Sequence, residues 1–141
     1  MIKTPHVSVD GLVELFDAKG SFLGIVLIER KNPPHGWALP GGFVDIGETV
    51  EQAVRREMKE EISLDVQVVR LLGIYSDPSR DPRFHTVSAV FVCRATGFPV
   101  AADDAKKLRV VVPEEAAKTP LVFDHRRILD DYFSGKQCVT C

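Results

Sequence analysis

Apolar residues fall into two patterns along the chain. Short Val- and Leu-rich runs bounded by Gly, Pro or Asp recur throughout, as strands do, while a few stretches carry helical spacing. Val7 to Phe16 and Phe22 to Glu29, the latter centred on Ile25-Val26-Leu27-Ile28, read as strands joined by a hairpin turn at Asp17-Ala18-Lys19-Gly20. Lys31 to Gly36 contains paired prolines, which a sheet interior does not tolerate, and is a loop before the short apolar piece Trp37-Ala38-Leu39. Glu48 to Ile62 has neither Gly nor Pro and is rich in Glu, Arg and Lys, so it is the clearest helix. Val66 to Tyr75 and Thr86 to Ala95 read as strands, Leu108 to Val112 as a short one, Pro113 to Lys118 as a helical turn, and Asp124 to Phe133 as a terminal helix that carries His125 in its first turn and Asp124 as N-cap. Phe16, Phe91, Tyr132 and Phe133 are expected in the core. Strands outnumber helices and include hairpin-like pairs. The expected fold class is α+β, a mixed β-sheet between helices.

On the Glu48 to Ile62 helix, Val50, Ala53 and Val54 share one face. Glu57, Glu60 and Glu61 follow them at a spacing of seven residues and so stay within roughly 20° of the same directions. The stripe that should be buried therefore turns acidic. A solvated acidic face is the ordinary reading of several glutamates, but solvated charge sits opposite an apolar stripe and does not continue it. These carboxylates also lie in the last turns, where the helix dipole disfavours anions by about 0.3 to 1 kcal/mol each. Arg55 and Lys59 point away, and only Arg56, four residues before Glu60, is placed to pair with the cluster. A hard divalent cation removes both costs, since Mg²⁺ takes one or two carboxylates and leaves its other positions to water and phosphate. Gly41-Gly42 just upstream permits close approach of backbone to such a ligand, although a Gly-Gly pair is also an ordinary turn.

Composition narrows the class. With 141 residues, the chain is expected to be one domain, its last residues from about 134 to 141 a frayed tail. Lys and Arg number 18 against 20 Asp and Glu, a net charge of -2, so there is no general attraction to a nucleic acid polymer or an anionic membrane. Any phosphate must be met locally. The three cysteines, Cys93, Cys138 and Cys141, make no disulfide scaffold and favour a reducing cytoplasm, and no apolar signal core or membrane span is present in the sequence. Cys138-Val139-Thr140-Cys141 has no second Cys or His pair to complete a metal site.

The run from Gly42 through Glu48 to Arg56-Glu57-Met58-Lys59-Glu60-Glu61-Ile62-Ser63-Leu64 resembles the Nudix box, the signature of hydrolases acting on nucleoside diphosphates linked to another moiety. Ser63 stands where the family usually has Gly, which affects the turn after the helix more than the chemistry. Trp37 to Asp45 is similar to the family's approach to the box. Tyr75 to Ser88 resembles a segment of the ADP-ribose pyrophosphatase branch, and Phe123 to Leu129 that branch's final helix. The resemblance implies an α/β/α sandwich. It implies Glu57 and Glu61 as metal ligands, the Gly42 carbonyl as another, and Glu60 acting through a further metal or a bound water. Arg56 would orient the glutamates and Glu48 would support the cluster, giving a catalytic set of Glu48, Arg56, Glu60 and Glu61 with Mg²⁺ or Mn²⁺. The general base is left between these glutamates and a loop.

Arg30 closes the second strand near the expected site, as a phosphate contact or as a solvated strand end. Arg80 and Arg83 carry the same pair of readings, with Asp77 and Asp81 as structural partners. His85 is either a substrate contact or a hydrogen-bonded strand-edge histidine. Phe84 replaces an expected small residue, and its ring would stack on a base or narrow the pocket. Substrate binding is thus assigned to Arg30, Arg80, Phe84 and His85. The partner implied is a small nucleotide, with ADP-ribose cleaved to AMP and ribose 5-phosphate as the leading case, and a homodimer is left open. The rivals are hydrolysis of a modified nucleoside triphosphate and a Nudix-like domain that senses a nucleotide without cleaving it.

Overall fold

The protein is described by a computed structural model over residues 1–101 and 107–137; Cys138 and Cys141 lie outside the described residues. The elements in chain order are β1 (His6–Phe16), β2 (Phe22–Glu29), β3 (Trp37–Ala38), β4 (Gly41–Phe43), α1 (Val50–Ile62), β5 (Gln67–Tyr75), β6 (Thr86–Thr96), β7 (Leu108–Val111), α2 (Pro113–Ala116) and α3 (His125–Phe133). The described strands form one mixed sheet in the order β3-β2-β1-β6-β5, with β4 on β1 and β7 on β2. Its only parallel pair is β1 with β6, in register from His6 opposite Thr86 to Phe16 opposite Thr96.

Both faces of the sheet are covered, which explains why β1 and β6 read as nearly continuous apolar runs. Val9, Val13 and Leu15 of β1, with Ala89, Phe91 and Cys93 of β6, pack under Ala53, Val54, Met58 and Ile62 of α1. Leu12, Val90 and Val92 face the other way, against Leu39, Ala116 and Ile128 and Leu129 of α3. The alternation within each strand thus builds two cores, one per face, and the α/β/α sandwich follows.

Several expectations need adjustment. The site helix begins at Val50, because Thr49 caps it: Gln52 N–H donates to Thr49 Oγ1 at 3.1 Å, and Thr49 N–H to Gln52 Oε1 at 2.8 Å. Glu48 is therefore outside the helix. Ser63 adopts the left-handed conformation at φ 59°, so the turn that usually takes Gly is made here by Ser, whose hydroxyl donates to Val100 O at 3.2 Å. Asp124 occupies the N-cap position of α3 but makes no side-chain cap. Its carboxylate is held by an arginine described below. Phe91 is a core residue, whereas Phe16 and Tyr132 are only half-buried and Phe133 is exposed, since each lies at the end of its element.

Cys93 sits fully buried between β6 and α1, and this burial pushes its thiol up to about 12. Iodoacetamide at pH 8 should leave Cys93 unlabelled in the native protein and modify it only as urea unfolds the chain, read by mass spectrometry of the Cys93 peptide. Labelling without denaturant would contradict this packing.

Candidate active site at a split between strands

Beyond the Glu14–Ile25 pair, β1 and β2 diverge. The chain from Trp37 to Phe43 fills the gap, pairing first with β2 (Ala38 opposite Ile28) and then with β1 (Gly41 opposite Asp10, Gly42 opposite Val9). Pro40 O accepts from Gly11 N–H at 2.9 Å, and Val44 N–H donates to Val7 O at 3.0 Å. This wedge explains the glycine pair. A Cβ on Gly42 would overlap the Glu57 carboxylate, and one on Gly41 would meet Val9 O and the Asp10 carboxylate. Successive residues of a strand face opposite sides, so each glycine has a carboxylate over it.

On the α1 side, Arg56 organises the acids. Its Nε and Nη2 donate to Glu48 at 3.0 and 2.7 Å, its Nη1 to Glu57 at 2.9 Å and Glu60 at 3.2 Å, and its Nη2 also to Phe43 O at 2.9 Å. Glu57 is buried, Glu61 half-buried and Glu60 exposed. Burial pushes the Glu57 carboxyl up despite the Arg56 hydrogen bond, with Glu60 and Glu61 adding in the same direction. Arg56 holds Glu48 down to about 2, helped by the Asp45 N–H. Among the described residues no three acidic, His or Cys side chains converge into a ready-made metal cage. The donor set nevertheless fits Mg²⁺: hard oxygens, a buried carboxylate whose charged form is disfavoured without a counter-ion, and glycine backbone beside it, with remaining positions for water and phosphate.

On the other side of the wedge lies a cleft of about 190 Å³. Gly41, Gly42, Glu61, Asp10, Arg83 and Phe123 are among the residues that line it. Arg80, Thr86 and His125 also line it and are buried. Arg80 forms a two-pronged pair with Asp124 at 2.9 and 2.7 Å and donates to Thr86 Oγ1 at 2.8 Å. This is why Asp124 does not cap α3. His125 Nδ1 accepts the Leu39 N–H at 3.0 Å, which puts the proton of the neutral ring on Nε2. Burial lowers the His125 pKa further and keeps the ring neutral.

Of the residues assigned to substrate from sequence, Arg30 and Arg80 line the cleft, while Phe84 and His85 do not. Arg30 donates to Pro34 O at 2.9 Å and lies 4.9 Å from the Phe123 ring centre. Phe84 packs on His6 at 4.4 Å and Phe43 at 5.9 Å on the outer rim, so its bulk does not narrow the cleft. His85 places Nε2 3.0 Å from Ser76 O. Arg83 pairs with Asp81 as expected, whereas the partner of Arg80 is Asp124 and not Asp77. Sequence reasoning passed over Asp10 and Phe123. The signal for Asp10 was a charge inside the apolar run of β1. Phe123 is a bulky residue held at φ 58°, and no local pattern announces that conformation.

This fold and this acidic helix define a class of protein. The NUDIX domain model matches residues 4–132, and the chain belongs to the NUDIX family. An ADP-ribose pyrophosphatase of Methanocaldococcus jannaschii is 48% identical over 135 residues, covering 94% of this chain and 75% of that protein. A MutT/nudix family protein from Enterococcus faecalis superposes with a TM-score of 0.79 at 29% identity over 96% of this chain, which spans 63% of the Enterococcus chain. The NUDIX domain of Shewanella oneidensis NrtR, crystallised with ADP ribose, superposes with a TM-score of 0.81 at 22% identity, a likeness of fold.

Because the folded Glu48 carboxyl titrates at about 2, below its unfolded value of about 4.3, its contribution to stability is present above the unfolded value and is lost as pH falls through the folded one. Thermal midpoints of the metal-free protein should therefore decline as pH drops from about 5 towards 2, and Glu48→Gln should show a shallower decline. Parallel profiles for the two proteins would argue against this role of the Arg56 pair.

Proposed function

We propose that the chain is a divalent-metal-dependent pyrophosphohydrolase acting on ADP-ribose, or a similar nucleoside diphosphate sugar, with AMP and ribose 5-phosphate as products. The supporting observation is the junction at Gly41-Gly42, where the carboxylate cluster of α1 meets a polar cleft. A pyrophosphate at the cluster has room for a substituent in the cleft, and the near-half identity to an ADP-ribose pyrophosphatase agrees with that substrate class.

Glu57 and Glu61, with the Gly42 backbone, would hold Mg²⁺ or Mn²⁺, and Glu60 would act through a further ion or a water. When bound, the cation neutralises charge on the phosphoryl oxygens and acidifies water. Arg56 keeps Glu57 and Glu60 oriented through its two-sided contact, and Glu48 fixes the guanidinium from the other side. Glu61, half-buried and lining the cleft, would accept a proton from water entering there. Water adds to one phosphorus, and the bond from that phosphorus to the bridging oxygen breaks. The second phosphate leaves with that oxygen.

A panel of ADP-ribose, other diphosphate sugars, dinucleotides and nucleoside triphosphates, assayed with Mg²⁺ and with chelator, tests this reading. ADP-ribose should lead in kcat/KM, chelator should abolish turnover, and Glu61→Gln should bind nucleotide while turnover falls by at least about a hundredfold. A tenfold preference for a triphosphate, equivalent to about 1.4 kcal/mol, would favour the triphosphate reading. Nucleotide binding by the wild type with no turnover of any substrate would mark a sensor.

A further inference from the structure

The cleft floor holds a carboxylate with no role in the α1 cluster. Asp10 lies on β1 among apolar neighbours, is 9% exposed, and lines the cleft beside Ser8 and Thr86. A buried carboxylate is costly unless its oxygens are satisfied. Ser88 Oγ donates to Asp10 Oδ2 at 2.5 Å. Among the described residues its two basic neighbours stop short: His125 Nε2 is 3.7 Å from Oδ1, and Arg80 Nη2 is 3.9 Å from Oδ2. Both are tethered elsewhere, His125 to Leu39 and Arg80 to Asp124 and Thr86, so neither can close the gap without giving up a shorter bond. An ionised carboxylate has about four acceptor positions, and this one faces a cleft with most of them still to be used.

We propose that this floor is the subsite for the terminal sugar of the substrate, and that Asp10 selects it by accepting hydrogen bonds from two neighbouring hydroxyls. The inference rests on the diphosphate-sugar reading and extends it to the group beyond the pyrophosphate. Asp10 lies over Gly41, one residue from the Gly42 that adjoins Glu57, so a group attached to a phosphate at the α1 cluster reaches the floor next. The Ser8 and Thr86 hydroxyls stand beside it, and Thr86 Oγ1 already accepts from Arg80, leaving its hydrogen to donate. Such a floor of alternating donors and acceptors matches a polyhydroxylated ring. A purine needs a free flat apolar face instead; of the two phenyl rings that line the cleft, Phe123 has Arg30 and Arg83 over it at 4.9 and 5.5 Å and Phe43 packs on His6 and Phe84 at 5.7 and 5.9 Å. Replacing Asp10 by Asn would turn the amide oxygen to the Ser88 hydroxyl and present NH₂ to the ligand, a donor where the sugar needs an acceptor.

Calorimetry with Mg²⁺ present, using the two product halves and their deoxy analogues, tests this directly. Wild type should bind ribose 5-phosphate at least about tenfold more tightly than 2-deoxyribose 5-phosphate, because a site built to bond a hydroxyl rejects the analogue lacking it. In Asp10→Asn that ratio should fall below about twofold, while the ratio of AMP to 2′-deoxy-AMP stays as in the wild type. Equal affinity of wild type for the two sugar phosphates overturns the assignment, and so does an AMP preference that vanishes in Asp10→Asn, which would put the nucleoside in the cleft. If Asp10→Asn does not fold, Ser88→Ala takes its place: a retained ribose preference supports the free carboxylate as reader, and a lost one overturns it. Turnover of ADP-ribose, measured in parallel, separates the two levels. Sugar preference without turnover removes the proposed reaction alone, and turnover without sugar preference removes this inference alone.

Discussion

The divergence of β1 from β2 is the constraint on which the rest depends. Two strands that stay paired along their length leave no opening in a sheet covered on both faces. Here pairing stops at Glu14 and Ile25, and a segment too short to be a full strand satisfies the freed backbone groups of both partners. That wedge carries Gly41 and Gly42 into the sheet itself, where one faces the Asp10 carboxylate and the other that of Glu57. The cleft is thus a consequence of how backbone hydrogen bonds are redistributed, and it opens between elements that the two cores hold rigid. It is also why α1 can present carboxylates towards the sheet. Met58 and Ile62 are buried on the same side of the helix and fix its rotation.

Two polar systems of opposite design meet across the wedge. The α1 system is a surplus of acid, with one guanidinium shared among Glu48, Glu57 and Glu60. Arg56 grips both oxygens of Glu48 but reaches only one each of Glu57 and Glu60, so a surplus of negative charge remains beside the cleft. The floor system is more nearly balanced: Arg80 faces Asp124 and Arg83 faces Asp81, each in a two-pronged contact that limits the movement of the side chains. The first arrangement suits a cation brought in with the substrate. The second suits recognition by hydrogen bonds of fixed direction.

Much of this could be read from residue order because the signals were local. The apolar runs, the absence of Gly and Pro through α1, and the acidic continuation of its buried stripe depend only on neighbours within a few turns. What sequence could not supply was set by residues far apart. Whether Asp124 caps its helix or pairs with Arg80 is decided by a contact spanning 44 positions, and the local rule for helix caps loses to a charge-assisted pair. Phe84 was open to two readings, stacking on a base or narrowing the pocket, because loop order says nothing about which way a ring turns. Its position against His6 depends on β1 and β6 running in parallel register, which brings His6 opposite Thr86. The β4 strand was missed for a similar reason: three residues containing two glycines have no strand propensity of their own and pair only because β1 offers an edge.

The placement of Arg56 shows how the fold bears the cost of its own site. Glu57 is buried and its charged form is disfavoured, while three acids crowd the end of α1 where the helix dipole already opposes them. Arg56 relieves the crowding from within the same helix, one residue before Glu57 and four before Glu60. A lysine at this position would supply the charge as a single point, but not the several directed N–H groups that reach Glu48, Glu57, Glu60 and the Phe43 carbonyl together. The last of these contacts ties the helix to the wedge itself. The carboxylates and the glycine backbone they face are therefore held as one unit, and a ligand entering the cleft meets donors and acceptors already in place.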